Sequence, residues 1–478
     1  MLFPTVQYAI FFAIVLVASW LLTPQPVRWK LFMLGASYVF YAAWDPRFLL
    51  LLAGVTVFNQ VMALRIAAAD DDDRRRALVR WTVAGDLAVL GWFKYYGFFV
   101  ASMANLLARF GVSQPFPLLE IVLPVGISFF TFQAISYVVD IGRGKLEPAS
   151  HLDVAVFLAF FPQLVAGPIV RAREFLPQLA TRAGQVLDTG RAFGLITAGL
   201  FKKVVVASFL ASAIVDEVFA NPSAYSSGEI LVAVYGYAAQ IYTDFSGYTD
   251  IAIGCAMLLG FTFPDNFNRP YAATTLRDFW RRWHMTLSRW LRDYLYIPLG
   301  GSAHGRARTY RNLILTMLLG GLWHGAAWTF VAWGALHGGW LALERYLEER
   351  RQARPAPRRP GLAPLEPWWI ETRRWLVTFH VVCLGWVFFR AESFDVATTM
   401  LTRLATAPGP APLVTVPVLA VIVATIAVQF LPEGTGEAIQ AQFSRLPLAG
   451  QALALAGALV VIDALGPPGV APFIYFQF

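Results

Sequence analysis

Apolar runs of about 18 residues or more recur along this chain, the length a helix needs to cross a bilayer core of roughly 30 Å. No other feature narrows the fold as far. A backbone in hydrocarbon must satisfy its polar groups internally, which leaves helices or closed barrels. Alternating apolar and polar segments of about 10 residues, as a barrel requires, do not occur. Composition agrees, since 57% of the 478 residues are hydrophobic and 14% are charged, against roughly 25% charged in ordinary globular proteins. Mean hydropathy is +0.56. The expectation is an all-α polytopic integral membrane protein.

Candidate spans run at about 7–22, 31–44, 48–66, 78–100, 119–140, 152–170, 192–219 and 229–261, with further apolar stretches at 312–344, 372–390, 413–430 and 449–465. Together they predict about 11 to 13 embedded helices, some re-entrant. The stretch 312–344 is too long for one simple crossing, and its interruptions at Gly320-Gly321 and Gly338-Gly339 predict a broken or paired element. We expect a single embedded domain over 1–478, with a core at about 150–345 and C-terminal helices at about 370–478. No repeat and no pair of matching halves is visible, which argues against a secondary transporter.

The first run has no basic stretch before it and no small-residue cleavage site after it, so it reads as a retained span. Arg28 and Lys30 follow it, which places the N-terminus away from the cytoplasm, on the periplasmic side of an inner membrane. The segment 350–359, RRQARPAPRR, reads as a cytoplasmic linker. Residues 70–76, DDDDRRR, read as a solvated helix connection. The net charge is +8, which in a soluble protein would suggest nucleic acid. Basic cytoplasmic loops account for it here, and no nucleic-acid partner is expected. Cys255 and Cys383 lie in separate apolar segments and form neither a disulfide framework nor a metal motif, so both are expected to be buried thiols.

Chemistry concentrates between Asn268 and His337. Read as one helix at about 274–297, the first part places Arg277, Arg281, His284, Ser288 and Arg292 within roughly 80° of one another. Phe279, Trp283, Leu287, Trp290 and Tyr294 fall opposite. Asp278 precedes Arg282 by four residues, and Arg289 precedes Asp293 by four, both spaced for ion pairs on a helix surface. Residues 264–311 hold nine arginines against three aspartates, without lysine or glutamate. One reading is a surface helix on anionic lipid. The other is a site for an anionic ligand such as the phosphates of a thioester donor, which arginine suits.

His324 lies in LTMLLGGLWHGAAWTFVAW, where no aspartate, glutamate, lysine or arginine occurs from Leu313 to Leu343. An ionisable side chain at membrane depth marks a functional site by default, although a neutral imidazole satisfied by its neighbours is the plain alternative. Small residues around it (Gly320, Gly321, Gly325, Ala326, Ala327) would let a substrate or another helix approach. His337, near the expected helix end, is the weaker candidate. Imidazole suits acyl transfer, either taking the proton of an attacking hydroxyl or carrying the acyl group. The sequence holds no HExxH, no cysteine pair and no G-x-S-x-G, which leaves no metal site and removes the common serine hydrolase signature. A second polar cluster, IYTDFSGYTDIAIG at 241–254, carries Asp244, Ser246, Tyr248 and Asp250. It reads either as interhelical hydrogen bonding or as a cavity lining in which Asp244 or Asp250 orients a histidine.

These segments resemble the membrane-bound O-acyltransferase (MBOAT) family, and within it the bacterial branch concerned with alginate O-acetylation. The resemblance rests on FFPQLVAGPIVR (160–171), YTDFSGYTDIAIG (242–254), NFNRPYAATTLRDFWRRWHMTLSRWLRDYLYIPLGG (266–301), RNLILTMLLGGLWHGAAWTFVAWGALHG (311–338) and PFIYFQF (472–478). It implies a multi-helix bundle with a central tunnel, an acyl donor such as acetyl-CoA as co-substrate and no bound cofactor. It also implies periplasmic polysaccharide O-acetyltransferase subunits as partners. His324 matches the family's catalytic histidine, and His284 matches the second histidine of the bacterial branch. Arg277, Arg281, Ser288, Arg292 and Asp244 are then candidate substrate-binding residues. The expected activity is O-acetylation of an exported polysaccharide such as alginate, with peptidoglycan or another exopolysaccharide as a rival acceptor. D-alanyl transfer to teichoic acid fits the motifs less closely. From a different class, a transporter or flippase of an anionic substrate would also use intramembrane ionisable groups, and a membrane scaffold would need neither histidine.

Overall fold

The computed structural model describes residues 3–111, 119, 121–165, 167–181, 187–353, 367–467 and 473–474. Among the described residues every regular element is a helix. The chain opens with α1 (Val6–Leu21), α2 (Pro26–Ala42) and α3 (Phe48–Ala67). Thr5 caps α1 by accepting the Tyr8 N–H, and a proline opens α2 where its missing N–H costs nothing. The charged stretch 70–76 starts α4 (Asp72–Leu90). Asp71 caps its N-terminus, Asp72 and Asp73 sit at the positive end of the helix dipole, and Arg75 and Arg76 pair back to them. A π-helical turn, Gly91–Tyr95, carries α4 into α5 (Tyr96–Ala108).

Two apolar segments prove to be core rather than lipid-facing. All but two of the 16 residues of α6 (Ile127–Gly142) are buried, the pattern of a helix packed all round. It begins at Gly126, whose φ of 76° and approach to the Leu164 carbonyl leave no room for a side chain. The expected span 152–170 is instead α7 (His151–Ala159) and α8 (Phe161–Leu164), broken at Phe160 and almost wholly buried. Beyond them lie α9 (Ala172–Thr181) and α10 (Thr189–Leu200), the latter continued by a π turn at Phe201–Ala207, α11 (Ser208–Leu210), a second π turn and α12 (Asp216–Ala220).

The longest helix, α13 (Ser227–Leu258), starts on a complete capping box in which Ser226 and Glu229 satisfy each other's backbone. At 1.5 Å per residue it is roughly 48 Å long. It packs on α10 with backbones close together, since a Cβ on Gly199 would meet the Gly247 carbonyl and a Cβ on Gly247 the Gly199 carbonyl. Both cysteines are buried and free, Cys255 accepting a hydrogen bond from the Tyr8 hydroxyl.

After α13 come the short helices α14 (Leu276–Arg282) and α15 (Met285–Leu291), then the hairpin of α16 (Arg306–His324) and α17 (Trp328–Ala353). The C-terminal part holds α18 (Trp368–Arg390), α19 (Phe394–Thr406), α20 (Val416–Ala427), α21 (Thr435–Ser444) and α22 (Leu448–Leu465). Among the described residues four helices are long and apolar enough to cross a membrane: Phe48–Ala67, Asp72–Ala108, Thr189–Ala220 and Leu448–Leu465. A further pair, Val416–Phe430 and Thr435–Ser444, is bent by 93° at its break. The remaining apolar runs are carried by shorter, broken or more polar helices.

The long apolar stretch 312–344 is indeed a paired element, but it turns at residues 325–327 and not at either glycine pair. The expected glycine breaks are helical, and at Gly320, Gly321 and Gly338 the missing side chain serves packing. A Cβ on Gly321 would strike the Phe330 carbonyl, and Cβ atoms on Gly334 and Gly338 would strike the backbone of Met317–Leu318 and Ile314. Such small-residue faces let membrane helices approach closely. The basic segment 350–359, read as a linker, begins inside this hairpin, since Arg350 and Arg351 belong to the last turn of α17. Residues 354–359 lie outside the described residues.

Gly334→Ala should therefore destabilise the hairpin by about 1–3 kcal/mol through overpacking. Gly339→Ala, with nothing within 4 Å of the added carbon, should be neutral. Thermal unfolding of both variants in detergent checks the contrast.

Candidate active site

The arginine-rich segment is not one helix. α14 ends at Arg282, Trp283 is extended, and His284 adopts a left-handed backbone with φ 42° before α15 begins. This corrects the expectation of a continuous polar stripe with His284 at its centre. The cause is Asn266, on the strand of chain leading in. Its backbone carbonyl accepts the Met285 N–H at 2.9 Å, and Asn268 N–H bonds to the Arg282 carbonyl at 2.9 Å. Its side-chain oxygen accepts from the Thr286 N–H at 3.2 Å and the Thr286 hydroxyl at 2.9 Å. Thr286 in turn accepts the Ile169 N–H at 3.0 Å. A left-handed residue without glycine's freedom costs roughly 1–2 kcal/mol, and this network holds it in place.

The break turns His284 inward, where it is fully buried. Its Nδ1 lies 3.1 Å from the Asn266 side-chain oxygen. That oxygen is the acceptor for a backbone N–H, so His284 Nδ1 must be the donor here, and Nε2 carries the lone pair. Nε2 is buried without a hydrogen-bond partner among the described residues. Phe245 meets the ring edge-on at 4.7 Å between centroids.

His324 ends α16 and is 3% exposed. Its imidazole stands edge-on to Trp323, Trp333 and Phe389 at centroid separations of 5.0, 5.1 and 5.2 Å. The His284 ring is 6.5 Å away, beyond direct hydrogen-bond reach. The two histidines thus share one aromatic pocket. The small residues flanking His324 pack against protein: Gly320 faces Leu291, and a Cβ on Gly325 would overlap the Phe330 ring. His337, expected near a helix end, sits well inside α17, fully buried, and its Nδ1 accepts from Trp280 Nε1 at 3.1 Å.

Of the other stripe residues, Arg277, Arg281, Ser288 and Arg292 do come together. They line a cavity of ≈ 470 Å³ with Arg289, Arg345, Thr316 and Met317. Arg277 pairs with Glu348 and Arg292 with Asp293, whereas Arg281 makes no ion pair among the described residues. The i,i+4 pair of Asp278 with Arg282 forms at 2.8 Å. The one expected between Arg289 and Asp293 does not, because Asp293 enters a π turn and meets buried Arg171 at 2.7 Å. A second, smaller cavity of ≈ 100 Å³ lies at the other end of α16, lined by His324, Trp323, Lys94, Trp44 and the turn around Gly126.

Asp244 stands apart from both cavities. It pairs with Lys203 at 2.5 Å and accepts the Ile474 N–H at 2.8 Å, tying Ile474 to α13. Asp250 pairs with Lys202. Residues absent from the expected set but built into the site are Asn266, Trp280, Trp333, Lys94 and Tyr95. Lys94 was legible in principle, as a lone cation within an apolar run. Asn266 carried no such signal.

Asn266→Ala removes the acceptor for two Thr286 donors and the His284 ring. It should cost about 1–3 kcal/mol as buried donors lose their partner, visible as earlier thermal unfolding in detergent.

The chain matches the profile of MBOAT, the membrane-bound O-acyltransferase family, over residues 128–370. It is 49% identical over 378 residues to a probable alginate O-acetylase, AlgI, of Pseudomonas aeruginosa, covering 78% of this chain and 68% of that one. It is 39% identical to a peptidoglycan O-acetyltransferase of Helicobacter pylori, covering 79% of this chain and 74% of that one. A teichoic acid D-alanyltransferase of Bacillus subtilis is 26% identical over 71% of this chain and 90% of its own length. With the all-helical, apolar architecture, these matches establish that the chain belongs to the membrane-bound O-acyltransferase family and is an integral membrane acyltransferase.

Proposed function

We propose that this acyltransferase moves an acetyl group from a cytoplasmic donor such as acetyl-CoA to hydroxyls of an exported polysaccharide such as alginate. The observation that supports this most is that His324 lines the smaller cavity on the same helix, α16, that borders the arginine cavity. The arginine cavity opens beside Leu313, Thr316 and Met317, and the second cavity takes in Trp323 and His324. From Thr316 to His324 the helix rises roughly 12 Å. A thioester with its phosphates on the arginine forks would extend inward along that distance, while a hydroxyl arrives through the other cavity. The arginine cavity shares its end of the hairpin with Arg345, Arg350 and Arg351, which the positive-inside rule assigns to the cytoplasm. The N-terminus would then face the periplasm of an inner membrane.

In this reading His324 is the general base. It takes the acceptor's proton as the new C–O bond forms at the acyl carbon, and the C–S bond then breaks. The imidazolium returns that proton to the departing thiolate. If His324 instead carried the acyl group, labelled donor without acceptor would leave a hydroxylamine-labile label on the wild-type protein and none on His324→Ala. His284, its Nδ1–H held by Asn266, offers its Nε2 lone pair to orient the reacting groups or share the proton. Arg277, Arg281 and Arg292, with Ser288, steer the donor. Asp244, first read as substrate-binding, is assigned to holding Ile474 against α13. Periplasmic O-acetyltransferase subunits would complete delivery to the polymer. Peptidoglycan is the second acceptor to test, because the relative named for it is also close in sequence.

A host strain deleted for this gene and complemented with His324→Ala should export polysaccharide without O-acetyl groups, with the variant inserted at wild-type level. Full acetylation by that variant would remove the assignment. Arg281→Ala should raise the half-saturating acetyl-CoA concentration roughly fivefold, more at low salt than at high. Membrane vesicles with labelled acetyl-CoA give that measurement.

A further inference from the structure

α16 ends at His324 in the interior of the protein, where its last four carbonyls have no helical partner. The structure accounts for every one. The Gly325 N–H reaches the Gly321 carbonyl at 3.4 Å. The Tyr95 hydroxyl donates to the Leu322 carbonyl at 2.7 Å. The Lys94 ammonium donates to the carbonyls of both Trp323 and His324, at 2.6 and 3.0 Å. Three of the four are therefore held by two adjacent side chains from a distant part of the sequence.

Those two side chains belong to the π turn Gly91–Tyr95 that interrupts the long apolar rod Asp72–Ala108. Single π turns are rare and recur at functional sites. A lysine in such a segment is costly unless something answers its charge, and no carboxylate pairs with Lys94 among the described residues. Its partner is instead the negative end of the α16 dipole. The ammonium also lies 6.0 Å from the Trp323 ring centroid, and Lys94 and His324 line the same ≈ 100 Å³ cavity.

We propose that Lys94, assisted by Tyr95, is a positioning residue for acyl transfer. It clamps the final turn of α16, so that the His324 imidazole keeps one orientation against Trp333 and Phe389 when the acyl group and the acceptor enter. A neutral donor could satisfy the same carbonyls. A cation binds two of them more tightly and complements the helix terminus, which suits a residue whose ring must not swing. This inference rests on the reading of His324 as the general base.

The test uses membrane vesicles from the host strain carrying Lys94→Met, Tyr95→Phe or His324→Ala, with labelled acetyl-CoA as the probe and incorporation into polysaccharide as the readout. Rates are normalised to folded protein recovered by gel filtration in detergent. Loss of a charge-assisted hydrogen-bonded pair predicts a maximal rate about 10- to 100-fold lower for Lys94→Met, with the half-saturating donor concentration within about twofold of wild type. Tyr95→Phe, which removes a single hydroxyl and should fold even if the lysine variant does not, predicts a drop of about three- to tenfold of the same kind. A lysine variant within about threefold of wild type per folded molecule overturns the inference. So does a Tyr95→Phe variant with an unchanged maximal rate, or a change confined to half-saturation. Activity in His324→Ala would overturn the underlying reading, whereas an inactive His324→Ala beside an unimpaired Lys94→Met would overturn the clamp alone.

Discussion

A helix that stops inside a membrane-embedded protein leaves carbonyls without helical partners, and each that is buried unpaired costs several kcal/mol. The end of α16 is such a place, and much of the architecture follows from satisfying it. The donors come from the π turn between α4 and α5, so the N-terminal helices must lie against the hairpin that carries His324. The hairpin itself closes through Gly321, Gly334 and Gly338, which bring the backbones of α16 and α17 into contact. The termination is thereby held from two sides.

A second termination does equivalent service for His284. Between α14 and α15 the backbone breaks without glycine or proline, and Asn266 supplies the hydrogen bonds that the helix gives up. Trp290 then stacks on Phe132 with centroids 3.7 Å apart and donates to its carbonyl at 2.9 Å. Tyr294 reaches Asp140 at 2.8 Å. These contacts dock α15 on the buried helix α6. Two interrupted helices therefore point their free ends, and one histidine each, into a single aromatic pocket. Arginines from the same segments stay on the other side, around a separate cavity.

This separation was only half legible in the sequence. Arg277, Arg281, Ser288 and Arg292 were read onto one face and do line one cavity, with Arg277 and Arg281 on α14, Ser288 on α15 and Arg292 opening the π turn after it. His284 was read onto that face too, and it leaves because Trp283 and His284 abandon helical dihedrals. Nothing in the local run Trp-His-Met announces a break, and the residue that causes it lies 18 positions earlier. His324 stood out as a lone ionisable group in an apolar run, but its partners come from α14–α15, α17, α18 and the π turn. The glycines around it were read as room for a substrate or for another helix, and the packed structure takes the second course, with Phe330 of α17 and Leu291 of α15 against them.

Composition and periodicity by themselves determined that the chain is helical and membrane-embedded, because apolar runs of bilayer length leave the backbone no other way to satisfy its hydrogen bonds. Sequence motifs also singled out His324, His284 and the arginine cluster as candidates for the chemistry. Only the tertiary structure decided which apolar runs are interior, where the two critical helices stop, and which side chains take up their free ends. Those outcomes depend on contacts between segments remote in sequence, Lys94 with the end of α16 and Asn266 with the start of α15. A local pattern cannot encode a partner that arrives from elsewhere in the fold.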